Sequence, residues 1–373
     1  MPTILIIGGY GNTGYYIAEL LLQHTDAQLI LAGRNEDKAK AAANRLRAQH
    51  GGEVEALRLD AGDEDQLRNA FKRCDLAVLA ASTHKQVDTI IGVAIETQTD
   101  YLDTQLSITQ KIEALRRHED AFVQRGMTVI TDGGFHPGLP AALVRHAALH
   151  FDQLKMANIS SYMGIRWKEI KTSLNTMEEF AEELKSFDPR IFRGKKWERI
   201  PLRELSSIPF DFGEGIGRRN CMPMYMHELE ALPEQIPTLE ETGFFVSGFN
   251  WFTDNIATTL AMLTTRMNIG WLTRLTGRFF FWSAGAFAKP PFVTLLQLEA
   301  RGIKQGVEKK MTIRLSHEDA YLFTAIPVAA CIMQYLEDVH EPGFYFQSHL
   351  LKPESLLQVL RKLGIQTHVS QAS

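Results

Sequence analysis

Thr3-Ile4-Leu5-Ile6-Ile7-Gly8-Gly9-Tyr10-Gly11-Asn12-Thr13-Gly14 decides the fold. A short apolar run enters a glycine turn, and the turn opens into helical composition over 15–23, with Ile17, Leu20 and Leu21 spaced for one face. Gly9-Tyr10-Gly11-Asn12-Thr13-Gly14 is GxGxxG, a weak pattern alone and a specific one between a strand and a helix. Gly9 suits the tight turn, Gly11 lets the backbone approach a pyrophosphate, and Gly14 lets helix and strand pack closely. Tyr10, Asn12 and Thr13 complete the loop, whose N–H groups and helix-end partial charge attract an anion.

Outward from that turn, strand and helix alternate. Apolar runs at 28–32, 54–59, 76–80, 99–102 and 127–131 are separated by amphipathic stretches at 37–49, 64–72, 87–98 and 108–125. Continuous apolar strands between helices predict a parallel sheet covered on both faces, doubly wound and of Rossmann type. After Asp132-Gly133-Gly134 the texture changes. A helix over 140–151 and a strand over 158–164 are followed by a polar, aromatic stretch to about residue 243. Strand 244–251, helix 253–267, a hairpin around 301–306 and helix 321–336 come next. The whole reads as α/β: a Rossmann domain over 1–134, completed by 345–373, and a second α+β domain over 135–344. A last helix over 350–363, with a leucine stripe at Leu356, Leu357, Leu360 and Leu363, is expected to pack on the first domain.

The second strand ends Leu31-Ala32-Gly33-Arg34. A site for NAD(H) usually places an acid here to bond the ribose 2′-hydroxyl; this chain places Arg34, whose guanidinium matches a 2′-phosphate. Asn35 and Lys38 add donors nearby, so NADP(H) is expected in preference to NAD(H). Asp60 and Ala61 end the third strand, where Asp60 either meets the adenine amino group or caps the next helix. Ala81 and Ser82 end the fourth, beside the expected nicotinamide ribose or as a plain loop.

Composition supports a soluble protein: 45% hydrophobic, 23% charged, net charge −4, which offers no global attraction to nucleic acid. Cys74, Cys221 and Cys331 are scattered and odd in number, which predicts reduced thiols in a cytoplasmic protein without a zinc site. The segment 255–292 is aromatic-rich, yet Arg266, Arg274 and Arg278 interrupt it, which disfavours a spanning helix. It reads as a buried helix with a homodimer face, ahead of an element lying on a membrane surface.

Several of these stretches resemble the saccharopine dehydrogenase family: 6–14, Ala32-Gly33-Arg34-Asn35, Leu59-Asp60, and Thr99-Asp100-Tyr101-Leu102-Asp103-Thr104, which is similar to the family's Tyr-Val-Asp signature. Asp132-Gly133-Gly134-Phe135-His136-Pro137-Gly138 falls where the family carries a Gly-Phe/Leu-Asp-Pro-Gly turn, with His136 in place of the acid. The resemblance covers about the first 145 and last 60 residues. It implies an NAD(P)-binding fold and, in the family's reductases, joining of an amine to an aldehyde through an imine that NAD(P)H reduces. By position, Asp103 and the 132–138 turn follow strand ends, where the nicotinamide and the cleft to the second domain are expected. His136 is the candidate proton donor, against a purely structural role in the turn; Asp103 is similarly placed, against helix capping. Arg166, Lys168, Arg218 and Arg219 are candidates to clamp a carboxylate. The leading expectation is an NADP(H)-dependent oxidoreductase acting on a C=N or C=O bond of a small metabolite. The alternative is a non-catalytic NADP(H) sensor or scaffold with an apolar segment that binds a partner or lipid.

Overall fold

Thr3–Ile7 (β1), Gln28–Gly33 (β2), Val54–Arg58 (β3), Leu76–Leu79 (β4), Asp100–Asp103 (β5) and Thr128–Thr131 (β6) form a parallel ladder. β1, β4 and β6 are buried almost throughout, because helices cover both faces. These helices are Asn12–His24 (α1), Glu36–His50 (α2), Glu64–Phe71 (α3), Val87–Thr97 (α4), Thr109–Arg117 (α5) and Glu119–Arg125 (α6). Phe71, Ile90, Ile91, Leu115 and Phe122 pack on Leu5, Ala77, Leu79 and Tyr101 of the strands. Fully burying one such aliphatic or aromatic side chain contributes about 1.5–3 kcal/mol. The helix expected over 108–125 is two, broken at His118.

The computed structural model describes residues 1–372 except 82, 84–85, 106, 167–186, 202–203, 205–207, 214, 248, 251 and 267–269. The chain divides into two units: Met1–Ala142 with Tyr321–Gly364, and Leu143–Ala320 with the stretch from Ile365. It leaves the first unit within Pro140–Ala148 (α7). The second unit holds Gln153–Met163 (β7), Arg190–Arg193 (β8), Lys196–Arg199 (β9), Ile208–Asp211 (β10), Arg218–Pro223 (β11), Glu241–Ser247 (β12), Thr294–Lys304 (β13) and Val307–His317 (β14). Gly343–Phe346 (β15) belongs to the first unit and Gln366–Ala372 (β16) to the second.

The first sheet has seven strands in the order β15-β6-β5-β4-β1-β2-β3, the doubly wound order with one strand added. β15 pairs in parallel with β6. Ala320–Glu337 (α10) precedes it, and Leu356–Lys362 (α11) follows with Leu356 and Leu360 buried. Pro353 disfavours helical geometry in the residue before it, so α11 is shorter than the 350–363 expected. The limit expected at 134/135 falls at 142/143, and the C-terminal limits move because 321–346 bring α10 and β15 to the first sheet while β16 pairs with β14 in the second.

The second sheet has nine strands and is mixed; β12 and β7 run parallel, and its other pairs are antiparallel. β13 and β14 meet at Gln305-Gly306, both with positive φ, as a two-residue hairpin turn requires. Phe210, Phe212, Tyr162, Phe245 and Ile191 share one core cluster. The aromatic segment forms Thr258–Arg266 (α8) and Gly270–Ala286 (α9). Ala261 and Phe280 are buried there, while Leu263, Leu275 and Trp282 are exposed. All three cysteines are free, and burial pushes each thiol up to about 12.

Candidate functional site

The glycine turn is built by close backbone approach. Gly8, rather than Gly9, takes the left-handed backbone, with φ of +87°, and a Cβ there would lie 2.6 Å from the Ala80 carbonyl oxygen at the end of β4. A Cβ on Gly9 would meet Ile6 O and Leu31 Cδ2, each at 2.9 Å. On Gly14 it would lie 2.4 Å from Gly8 O, so α1 starts hard against the turn. Gly11 differs: its Cβ would meet only Gly8 O, at 3.1 Å, and otherwise project into open space. Gly11 is also the N-cap of α1 and supplies no side-chain cap, and no acidic residue sits in the first turn. A cradle that one Cβ would fill, at an uncapped helix start, fits a pyrophosphate. Asn12 and Thr13 form the start of that helix.

Tyr10 reaches from the turn to the end of β2. Its ring fills the space a Gly33 side chain would need, and its hydroxyl accepts the Asn35 N–H at 3.1 Å. Asn35 caps α2, its side chain accepting the Lys38 N–H at 2.9 Å, so its oxygen serves the helix. Arg34 and Lys38 are exposed beside it. Asp60 accepts the Gly62 N–H at 3.0 Å, closing a local turn; the cap of α3 is Asp63, which accepts from Asp65 and Gln66. Those hydrogen bonds hold the Asp63 carboxyl below its ordinary range. Ala61 is half-buried, and Ala81 abuts Gly8 from the end of β4. Ser82 lies outside the described residues.

The carboxyl ends of β5 and β6 carry a buried ionic cluster whose cation the sequence reading missed. Lys111, on α5, has a side chain 1% exposed; its Nζ donates to Asp103 Oδ1 at 2.9 Å and Asp132 Oδ1 at 2.8 Å. It also donates to the Gln105 carbonyl at 3.1 Å. Burial alone would push the ammonium down, but the Asp103 and Asp132 carboxylates outweigh it and hold Lys111 above its ordinary value. Asp103 further accepts the Gln105 N–H at 3.0 Å and the Thr131 hydroxyl at 2.8 Å. It therefore closes a local turn and anchors Lys111; the cap position of α5 is Ile108. Asp132 Oδ2 is buried with no hydrogen-bond partner among the described residues, and Asp132 sits at φ of 58°. An unsatisfied buried carboxylate oxygen on a left-handed backbone is the kind of cost that persists at functional sites. Burial and the Asp103 carboxylate also push the Tyr101 hydroxyl well above its ordinary value.

The 132–138 turn is clamped from the far end of the sequence. Gln347 donates to the carbonyls of Gly134 at 2.8 Å and Gly138 at 3.2 Å, and accepts the Gly134 N–H at 3.2 Å. The Gly133 N–H donates to Asp103 O at 2.8 Å, tying the turn to β5. Phe135 stacks on Phe323 at 4.5 Å and meets the His136 ring edge-on at 4.1 Å. Burial holds the His136 imidazole down to about 3, although part of the residue stays accessible. The near-neutral value that suggested a protonated donor does not apply, because this ring is neutral at ordinary pH. The peptide bond between His136 and Pro137 is cis.

The second-unit arginines are dispersed. Arg166 lies over the Phe292 ring at 5.3 Å and Arg219 over Tyr162 at 5.9 Å. Arg218 is exposed on β11, where adjacent residues point to opposite faces. Lys168 lies outside the described residues.

A doubly wound sheet with this glycine cradle defines a dinucleotide-binding fold. Residues 4–130 match the family model described as the saccharopine dehydrogenase NADP binding domain. An NADP-binding domain of that description thus spans residues 4–130. It is similar to carboxyaminopropylagmatine dehydrogenase of Synechocystis sp., 24% identical over 281 residues that cover 72% of this chain and 68% of that protein. Its fold is similar to that of apo saccharopine dehydrogenase (L-Glu forming) from Saccharomyces cerevisiae, with a TM-score of 0.70, 15% identity and full coverage of both chains.

Proposed function

We propose that this protein uses NADP(H) to reduce, or in reverse form, a C=N bond of a small metabolite, in preference to a C=O bond. The observation that carries the reading is the buried Asp103–Lys111–Asp132 cluster at the carboxyl ends of β5 and β6, in the sheet whose β1 end bears the glycine cradle. Two carboxylates against one ammonium leave a formal excess of one negative charge. Such a field favours a cationic iminium over a neutral carbonyl. The names of the two relatives, which act on carboxyaminopropylagmatine and saccharopine, support a nitrogen-bearing metabolite.

NADPH, when bound, supplies the hydride. Gly11 and the start of α1 would hold its pyrophosphate, in a turn shaped by the packing of Gly9 and Gly14, and Arg34 with Lys38 would meet the 2′-phosphate. Lys111 fixes Asp103 and Asp132, so the charge at this end of the sheet does not reorganise during turnover. His136, kept neutral by burial, carries no imidazolium proton to release, and hydride addition to an iminium, which ends in a neutral amine, needs none.

The test is loss of NADPH absorbance with aldehydes and oxo acids, each alone and each with primary amines. Turnover that requires both components supports the C=N reading, and turnover with a carbonyl alone moves the activity to C=O reduction. NADPH binding with no turnover in any pairing favours the non-catalytic sensor.

A further inference from the structure

We propose that the outer face of α8 and α9 is an attachment surface for a bilayer that carries anionic lipids. The inner side of this helix pair is already satisfied. Thr264 and Thr276 join their hydroxyls at 2.9 Å, Thr253 and Ser283 do the same at 2.9 Å, and Phe280 meets Phe249 edge-on at 5.2 Å. The outer side is not covered. Leu263 is 58% exposed, Leu275 56%, Trp282 58% and Phe287 43%, values far outside the range for core residues of these types. Leu275, Arg278 and Trp282 follow one another at steps of three and four on α9, so they share a face. Leu260 and Leu263 repeat that spacing on α8. Trp282 stacks on Phe279 and meets Phe287, which puts a cluster of rings beside the exposed Arg278.

Charge selects the occupant. Between 255 and 292 the sequence has Arg266, Arg274, Arg278 and Lys289 and no aspartate or glutamate, in a chain of net charge −4. The preceding acid, Asp254, is half-buried and engaged with the Phe249 N–H at 2.8 Å. A two-fold homodimer through this face would pair the patch with itself, and the segment supplies no acid to meet Arg278 or Lys289. An anionic lipid surface complements the same patch, at about a fivefold gain in partition per basic residue near the surface. Aromatic rings beside an exposed arginine, on helices too short and too interrupted to span, are the features of an element that lies in the headgroup region.

The experiment is vesicle flotation of the full chain at low salt. The vesicles are phosphatidylcholine alone or phosphatidylcholine with about 30% phosphatidylglycerol, where the surface potential is strongly negative. Wild type should float with the anionic vesicles only, with a blue shift of tryptophan emission, and come off in high salt. The R278Q/K289Q variant should lose on the order of twenty-five-fold in partition. L263S/W282S changes only exposed side chains, so it should keep its far-ultraviolet spectrum and NADPH binding while floating no better than with phosphatidylcholine. Absence of wild-type flotation, or equal flotation of L263S/W282S, overturns the proposal. So does a wild-type dimer in sedimentation velocity that L263S/W282S converts to monomer, because the face would then be covered by a second copy.

Discussion

The 8–14 turn and the 132–138 turn both follow parallel strands of one sheet, β1 and β6, yet they are held by different means. The first is local. Its shape follows from glycines within one strand–turn–helix unit, with Ala80 and Tyr10 filling the gaps. The second is assembled from distance: Lys111 from α5, Asp103 from β5 and Gln347 after β15 converge on it. A site that must hold an invariant diphosphate can be written in backbone. A site that needs a particular charge in a dry place requires side chains brought from several elements.

Four measurements break or sharpen that contrast, the largest effect first. Lys111→Met leaves Asp103 and Asp132 as adjacent buried carboxylates. Removing one partner of a buried ionic group costs about 3–5 kcal/mol, to be read by urea unfolding, with Lys111→Arg as the conservative partner. The wild-type lysine, raised above its ordinary value, contributes fully below that value and loses its contribution only as pH climbs through the raised one. A loss under 1 kcal/mol in Lys111→Met would mean that the cluster is not the keystone of this end of the sheet.

Gly11→Val should leave stability nearly unchanged, because its side chain meets little protein, and weaken NADPH binding about a hundredfold in a fluorescence titration. Gly14→Ala should do the opposite, lowering stability through the clash with Gly8 O. Were the two variants to behave alike, the separation of cofactor glycine from packing glycine would be wrong.

Arg34→Ala should weaken NADPH by about ten- to a hundredfold, the worth of one charge-assisted hydrogen bond, and leave NADH unchanged. Equal losses for both nucleotides would remove the 2′-phosphate role.

The smallest effect is on pH. Native His136 takes up its proton only near 3, whereas the unfolded chain does so near 6.5, so wild type loses stability as pH falls across that window. The slope should be on the order of 1 kcal/mol per pH unit relative to His136→Asn, allowing for its partial exposure. Parallel stability curves for the two proteins between pH 6.5 and 4.5 would show that the ring is not held neutral.

The first turn was legible because its information is contiguous: apolar run, glycines, helix, then Arg34 at the end of the next strand. Even there the Gly8-Gly9 doublet misled, since motif spacing assigns the tight turn to Gly9 while the left-handed backbone falls on Gly8. The second turn was legible only as a place. Asp103 and His136 stand out by position, but Lys111 sits in an ordinary amphipathic stretch. Its signal was a charge within the apolar stripe of Ile112, Ala114 and Leu115, all buried with it. Gln347 carried no signal, because its three hydrogen bonds span more than 200 residues of chain. The 344/345 boundary failed for the same reason: which sheet receives β15 or β16 is settled by edge pairing, which no local period encodes.

The return of Tyr321–Gly364 to the first unit has a consequence for how the protein is made. On a translating ribosome, the six N-terminal strands emerge long before their seventh. Until β15 arrives, the β6 edge presents unpaired amide and carbonyl groups, and the 132–138 turn lacks its Gln347 clamp. The late segment thus supplies the β6 pairing and the Gln347 clamp, and the glycine turn after β1 draws no contact from it among the described residues.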